Sequence, residues 1–233
     1  MEISKIVIVP KWSKYEYDLH RYGLTHEQLI AKYTAQGVDV KRVLDSHERQ
    51  KKSLEELKRF FGQHQFVPRG EYSREIAAGA DLVISLGGDN HLQYVSHFID
   101  KGLVMGVNAD ILSSEGALDY FTAEKFEQVF KQLERGDFDI EEWTRLEAKV
   151  NGNPVQMATC DYLVAEDRRK DMSRHILEFR GRSEEQKGSG LLVATGAGST
   201  GWYNSVYRSM HGTDGIFPRT ETSARFLLTE PYI

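Results

Sequence analysis

Three short apolar runs constrain this chain most. Lys5–Val9 (KIVIV), Leu82–Leu86 (LVISL) and Leu103–Val107 (LVMGV) each run five residues with little polar interruption. A strand with one wet face alternates apolar and polar residues. A strand without that alternation buries both faces, as in a parallel sheet covered by helices on each side. The segments between the runs supply the helices. Thr25 stands as an N-cap with Gln28 three residues on, a capping box that opens a helix toward Ala35. A longer helix is expected over about Ser46–Phe61, a short one near Tyr72–Ala78 and another over about His91–Ile99. Gln65–Val67 reads as a short strand, and the aromatic, charged stretch Lys11–Gly23 shows no clear period. Strands alternating with helices predict βαβ units and an α/β fold.

The character changes after an expected helix at about Lys125–Glu134. Phe138–Val150, Val155–Ala165, His175–Arg180 and Leu191–Thr195 all read as strands, and Asn151-Gly152 is a strong hairpin signal. The expected architecture is therefore an α/β lobe over residues 1–135, followed by a β-rich lobe over 136–233. A chain of 233 residues buries about 70% of its unfolded surface, so a core needs no disulfide or metal. The hydrophobic share of 40% and charged share of 28% exclude a disordered, collagen-like or coiled-coil chain. A formal net charge of -5 gives no basic footprint for nucleic acid. Cys160 is the only cysteine, the N-terminal apolar run is too short for a signal segment, and no run reaches the ~18 apolar residues of a membrane span. The expectation is a cytoplasmic protein without membrane or nucleic-acid partners.

Three glycine-rich corners carry the candidate chemistry. In the first, the run Leu82–Leu86 enters Gly87-Gly88-Asp89-Asn90 and then a helix. Glycines at a strand end admit a phosphate to the backbone amides, and the helix start favours an anion. A carboxylate such as Asp89 there can accept a hydroxyl proton. The same residues also suit an ordinary strand-to-helix turn capped by Asp89 or Asn90. The second corner follows Asn108 with Ser113, Ser114 and Gly116, and by itself reads as a turn. The third, Gly196-x-Gly198-x-x-Gly201, follows an expected strand and fits the dinucleotide pattern, with Thr195, Ser199 and Thr200 beside it. Its place after a β-rich block, and the lack of an acid ending a strand ~20 residues on, weigh against a nicotinamide-dependent oxidoreductase. There is no P-loop and no metal-ligand spacing. His91, His97 and Cys160 read as core or surface residues.

Taken together, LGGDN, VNADILSSEGALDYF, ATCDYLVAE, KGSGLLVATGAGSTGWY and the closing LLTEPYI resemble the NAD kinase family, in order and across essentially the whole chain. The mitochondrial-type members and their bacterial relatives are the most similar. The resemblance implies transfer of a phosphoryl group from ATP, with Mg²⁺, to the adenosine 2′-hydroxyl of NAD. It implies Asp89 as catalytic base, Gly87, Gly88 and Asn90 at the phosphate corner, and Asn108 beside the nucleotide. It places Asp161, Thr195, Gly198, Ser199 and Thr200 on the NAD. A homo-oligomer, dimer or tetramer, is also implied. Asn90, His91 and Cys160 depart from the family's Gly, Thr and Asn, and Trp202 stands for its Tyr. An inactive nucleotide-binding homologue with a regulatory role, and a lipid or sugar kinase of the same superfamily, are the alternatives. Related enzymes continue beyond the last strand, so a shortened member or a truncated chain is expected.

Overall fold

The computed structural model describes residues 3–168 and 170–232. The chain divides into two compact units, Met1–Asp139 and Ile140–Ile233. In the first unit, strands β1 (Ile6–Pro10), β2 (Gln65–Phe66), β3 (Leu82–Gly87), β4 (Leu103–Asn108) and β5 (Phe121–Thr122) form one sheet in the order β2-β1-β3-β4-β5. Every neighbouring pair in it is parallel. Helices α1 (Lys14–Tyr22), α2 (His26–Ala35), α3 (Val40–Phe61), α4 (Arg74–Ala78) and α5 (Asp89–Ser96) lie in the connections, and α6 (Phe126–Arg135) follows β5.

The two-sided burial expected of the apolar runs is present in β1 and β3, whereas Val104 of β4 is exposed. Ile6, Ile8, Leu82, Ile84, Leu86 and Val107 pack on one face with Leu57 and Phe61 of α3 and Phe126 of α6. Val7, Val9 and Val83 pack on the other with Ala77 of α4, Val95 of α5 and Ile99. From β1 the chain moves one way to β2 and then back past β1 to β3. The direction of winding therefore reverses between β1 and β3, where doubly wound sheets leave a crevice at the carboxyl ends of their strands.

Some local expectations change. The stretch without a period contains α1, capped by a reciprocal Ser13–Glu16 box and stopped by left-handed Gly23 (φ 60). Its one buried residue is Asp18, tied to Lys14 and to the Tyr33 hydroxyl at 2.8 Å, so it has no apolar stripe to detect. Helix α3 begins at Val40, ahead of the expected Ser46, because the Asp39 side chain caps it by accepting from the Arg42 amide. Helix α5 covers Asp89–Ser96, starting two residues before the expected His91.

The second unit contains β6 (Lys149–Val150), β7 (Asn153–Pro154), β8 (Asp161–Val164), β9 (Ser173–Phe179), β10 (Arg182–Gly188), β11 (Gly190–Ala194), α7 (Trp202–His211) and β12 (Arg225–Thr229). Its sheets are antiparallel: β12-β11-β8, the hairpin β9–β10 and the hairpin β6–β7. Asn151 and Gly152 make the expected tight turn, both at positive φ (51 and 81). The expected strand Phe138–Val150 is reduced to Lys149–Val150 and one bridge from Leu146 to Ala158. Strand β10 has a mainly polar sequence, RSEEQKG, and is exposed along most of its length, so apolar patterning does not reveal it. No described helix is long and apolar enough to cross a membrane.

Leu57 is fully buried between α3 and the sheet. Leu57→Ala is expected to lower unfolding stability in urea by about 2–5 kcal/mol, whereas truncating exposed Ile111 should change it by less than about 0.5 kcal/mol.

Candidate functional site

Strand β3 delivers Gly87 to the carboxyl end of the sheet, opposite Asn108 of β4. Gly88 is the N-cap of α5, and its carbonyl accepts hydrogen bonds from the amides of His91 (2.7 Å) and Leu92 (3.1 Å). Asp89 is the first helical residue. Its Oδ2 accepts from the amide of Ala117 (3.0 Å) and its Oδ1 from that of Leu118 (2.8 Å). The helix dipole adds to the stabilisation of this anion. Asn90 is exposed and helical, so the corner needs no left-handed residue there. His91 is 1% exposed, and its Nε2 donates to the carbonyl of Val9 (2.9 Å). Burial pushes its imidazole down to about 4 and keeps it neutral. A Cβ on Gly87 would lie 2.7 Å from the His91 side chain, so the bare face of that glycine accommodates the chain's own imidazole.

The loop after β4 is built on its carboxylates and an amide. Asn108 is buried; its Nδ2 donates to the Ser114 carbonyl (3.1 Å) and its Oδ1 accepts from the Asp110 amide (3.0 Å). Asp110 receives two hydrogen bonds from the Arg49 guanidinium, at 2.6 and 3.1 Å, and one each from Ser46 and Ser113. Burial alone would raise its carboxyl; these donors overcome that and hold it below its ordinary range. Asp119 is different. It is 7% exposed, and neither oxygen has a hydrogen-bonding partner. It packs against Gly106 of β4, where any Cβ would overlap its Oδ1. Burial and then the facing Asp89 carboxylate push Asp119 up to about 7, with Lys11 opposing.

A cleft of about 280 Å³ opens at the carboxyl ends of β1 and β3, where the winding reverses. Lys11, Trp12, Lys51, Lys58 and Phe66 line it with one acid, Glu16, and with Leu86 and Ala109 at the end nearest the glycine corner. Lys58 is paired with Glu55 at 3.1 Å, while Lys11 and Lys51 are exposed cations. This cleft suits a phosphate-bearing ligand better than a neutral one.

In the second unit, Thr195 follows β11 and Asp161 opens β8, paired with Ala194. The Thr195 amide donates to the Cys160 carbonyl (2.9 Å); its hydroxyl donates to the Thr159 carbonyl (2.7 Å) and accepts from the Gly198 amide (3.1 Å). The Ser199 hydroxyl donates to the Gly196 carbonyl (2.7 Å) and accepts from the Phe217 amide (3.0 Å). Both hydroxyls are wholly buried and bind the loop to its own backbone. Thr200 is half-buried and donates to the Ala197 carbonyl (2.9 Å). Gly198 lets the loop cross Cys160, whose carbonyl a Cβ would overlap. Burial raises the Asp161 carboxyl. Strand β11 lies between two antiparallel neighbours, so Gly196–Gly201 is not the opening turn of a parallel dinucleotide-binding unit.

The first unit thus gathers Gly87, Gly88, Asp89, Asn90 and Asn108 at one sheet end, and the second gathers Asp161 with Thr195–Thr200. Reading the sequence missed Asp119, the Arg49–Asp110 pair and the lysine-lined cleft. The one signal for Asp119 is the glycine that interrupts LVMGV, a mark of close approach within a strand. Its raised carboxyl contributes stability that is fully present below the unfolded value near 4 and is lost as pH rises through about 7. Asp119→Asn should therefore gain stability relative to the parent by up to about 4 kcal/mol between pH 4 and pH 8, read from urea unfolding across pH.

No family model matches the chain. The NAD kinase of Methanopyrus kandleri is 31% identical over 161 residues, covering 66% of this chain and 55% of that protein. Homo sapiens mitochondrial NAD kinase 2 is 27% identical over 257 residues, covering 88% of this chain and 58% of its own. The chain thus spans little more than half the length of these curated relatives. The crystal structure of an NAD kinase from Archaeoglobus fulgidus in complex with ATP matches the fold with a TM-score of 0.64 at 18% identity, over 99% of this chain and 74% of that one. Sequence relatives and fold agree in their likeness to NAD kinases.

Proposed function

We propose that the protein is an NAD kinase-type phosphotransferase that makes NADP from NAD and ATP. The observation that carries this reading is the placement of Asp89. The central strand β3 and the first turn of α5 set a carboxylate at the carboxyl end of a parallel sheet, beside a cleft lined by lysines. In the reaction, Asp89 accepts the proton of the adenosine 2′-hydroxyl. That oxygen bonds to the γ-phosphorus of ATP as the bond to the β-phosphate oxygen breaks, and ADP leaves. Two amide donors keep Asp89 oriented and leave its remaining lone pairs for the hydroxyl.

Lys11 and Lys51 are the groups proposed to neutralise the ATP phosphates, with Trp12 as the apolar wall of the cleft. Magnesium belongs to this reading as the counter-ion of ATP. Among the described residues no three acidic, histidine or cysteine side chains converge. On the NAD side, Asp161 and Thr200 offer partly exposed polar atoms, while Thr195, Gly198 and Ser199 hold the loop's shape. Asn108 shapes the neighbouring loop through both ends of its amide. A cytoplasmic homo-oligomer completes the proposal, supported by the single cysteine and by the family resemblance.

Two measurements test it. NADP formation from NAD and ATP should fall by about 10²–10⁴-fold in Asp89→Asn, and a parent protein that makes no NADP with ATP or polyphosphate ends the proposal. The double variant Lys11→Ala, Lys51→Ala should raise the KM for ATP roughly tenfold or more while changing the KM for NAD little; an unchanged KM for ATP rejects the cleft as the donor site.

A further inference from the structure

Two carboxylates meet beneath the first turn of α5, and the proposed mechanism uses only one of them. Asp89 accepts hydrogen bonds from the amides of Ala117 and Leu118, the two residues directly before Asp119. The chain then turns Asp119 inward, against Gly106 of β4 and Leu92 of α5. The charged and titratable groups that face Asp119 are Asp89 from α5 and Lys11 beyond the end of β1. Ser85 of β3 is paired with Gly106 and is also buried, with a partnerless hydroxyl.

A carboxylate shut away from water and given no donor sheds its charge by taking a proton. Of the two acids, Asp89 has both amide donors and the helix dipole, so it is the better-stabilised anion. The proton therefore belongs to Asp119. A protonated Asp119 facing the Asp89 carboxylate donates its proton to it in a hydrogen bond. The glycine at 106 is required by the same arrangement, since any side chain there would displace the acid.

We propose that Asp119 is a positioning residue, holding a proton hydrogen-bonded to Asp89 and so fixing that carboxylate against the incoming hydroxyl. This rests on the kinase reading of Asp89. Asp119 makes and breaks no bond at phosphorus, and the proton leaving the hydroxyl goes to Asp89. When Asp119 loses its own proton, two like charges repel and Asp89 is pushed from its amides. Burial and Asp89 place that loss at about 7.

The test combines infrared spectroscopy with pH-rate profiles, on the intact chain and on Asp119→Asn. At about pH 6 the parent should show the carbonyl stretch of a buried protonated carboxylic acid, which fades as pH rises through about 7 and is missing from Asp119→Asn. The kcat for NADP formation in the parent should fall above about pH 7 with the KM for NAD little changed. Asp119→Asn should have a kcat roughly tenfold lower at about pH 6 and no step near 7. Absence of that band from the parent, its survival in Asp119→Asn, or a step near 7 that persists in the variant overturns the proposal. If neither protein forms NADP, the kinase reading fails and the infrared comparison still decides the proton on Asp119.

Discussion

The carboxylate of Asp89 joins three pieces of chain that are distant in sequence. It begins α5, it stands at the end of β3, and it holds the amides of Ala117 and Leu118 in the connection from β4 to β5. A neutral side chain would make weaker bonds to those amides, because charge-assisted hydrogen bonds are about twice as strong as neutral ones. The loop it holds is secured at its other end by Asn108 and by the Arg49–Asp110 pair, which ties it to α3. One acid at a helix start therefore sets the conformation of the loop and is itself held in place by it. The proposed base and the structural clasp are the same atoms.

The same economy appears in the glycines. A run such as Gly87-Gly88 suggests space left for a ligand, yet the space at Gly87 is filled from within the fold by His91. At Gly198 the neighbour is the Cys160 carbonyl, and at Gly106 it is Asp119. In each case a missing Cβ lets two parts of the chain approach closely, and that approach sets out the polar groups facing the site. A ligand-binding corner and a tight chain crossing produce the same one-letter pattern. Pattern alone therefore cannot separate them, and the neighbours of each glycine can.

What the sequence makes legible follows from which forces act locally. Apolar runs reveal β1, β3 and β4, and capping chemistry reveals α2, because both signals lie within a few residues. Helix α1 escapes because it buries Asp18 through an ion pair and the hydroxyl of Tyr33, fifteen residues away. Strand β10 escapes because its pairing to β9 comes from backbone hydrogen bonds along exposed polar residues. At the site, Asp89 is legible from its corner. Asp119 is not, since its significance depends on burial against Gly106, thirteen residues earlier, and on Asp89, thirty residues earlier.

The two departures beside the glycine corner differ in exposure, and this decides what each does. Asn90 faces solvent at the start of α5, where its amide is free to donate a hydrogen bond. His91 faces inward and, neutral through burial, fastens the first turn of α5 to the carbonyl of Val9 at the end of β1. That carbonyl lies where the winding of the sheet reverses, one residue before Pro10 and two before Lys11. The imidazole thus braces the β1 end of the crevice against the helix that carries Asp89. A smaller residue at 91 would leave the space beneath Gly87 unfilled and the Val9 carbonyl without this donor. A bulky side chain at this position is compatible with the corner because it is buried within the fold and fills the space beside Gly87.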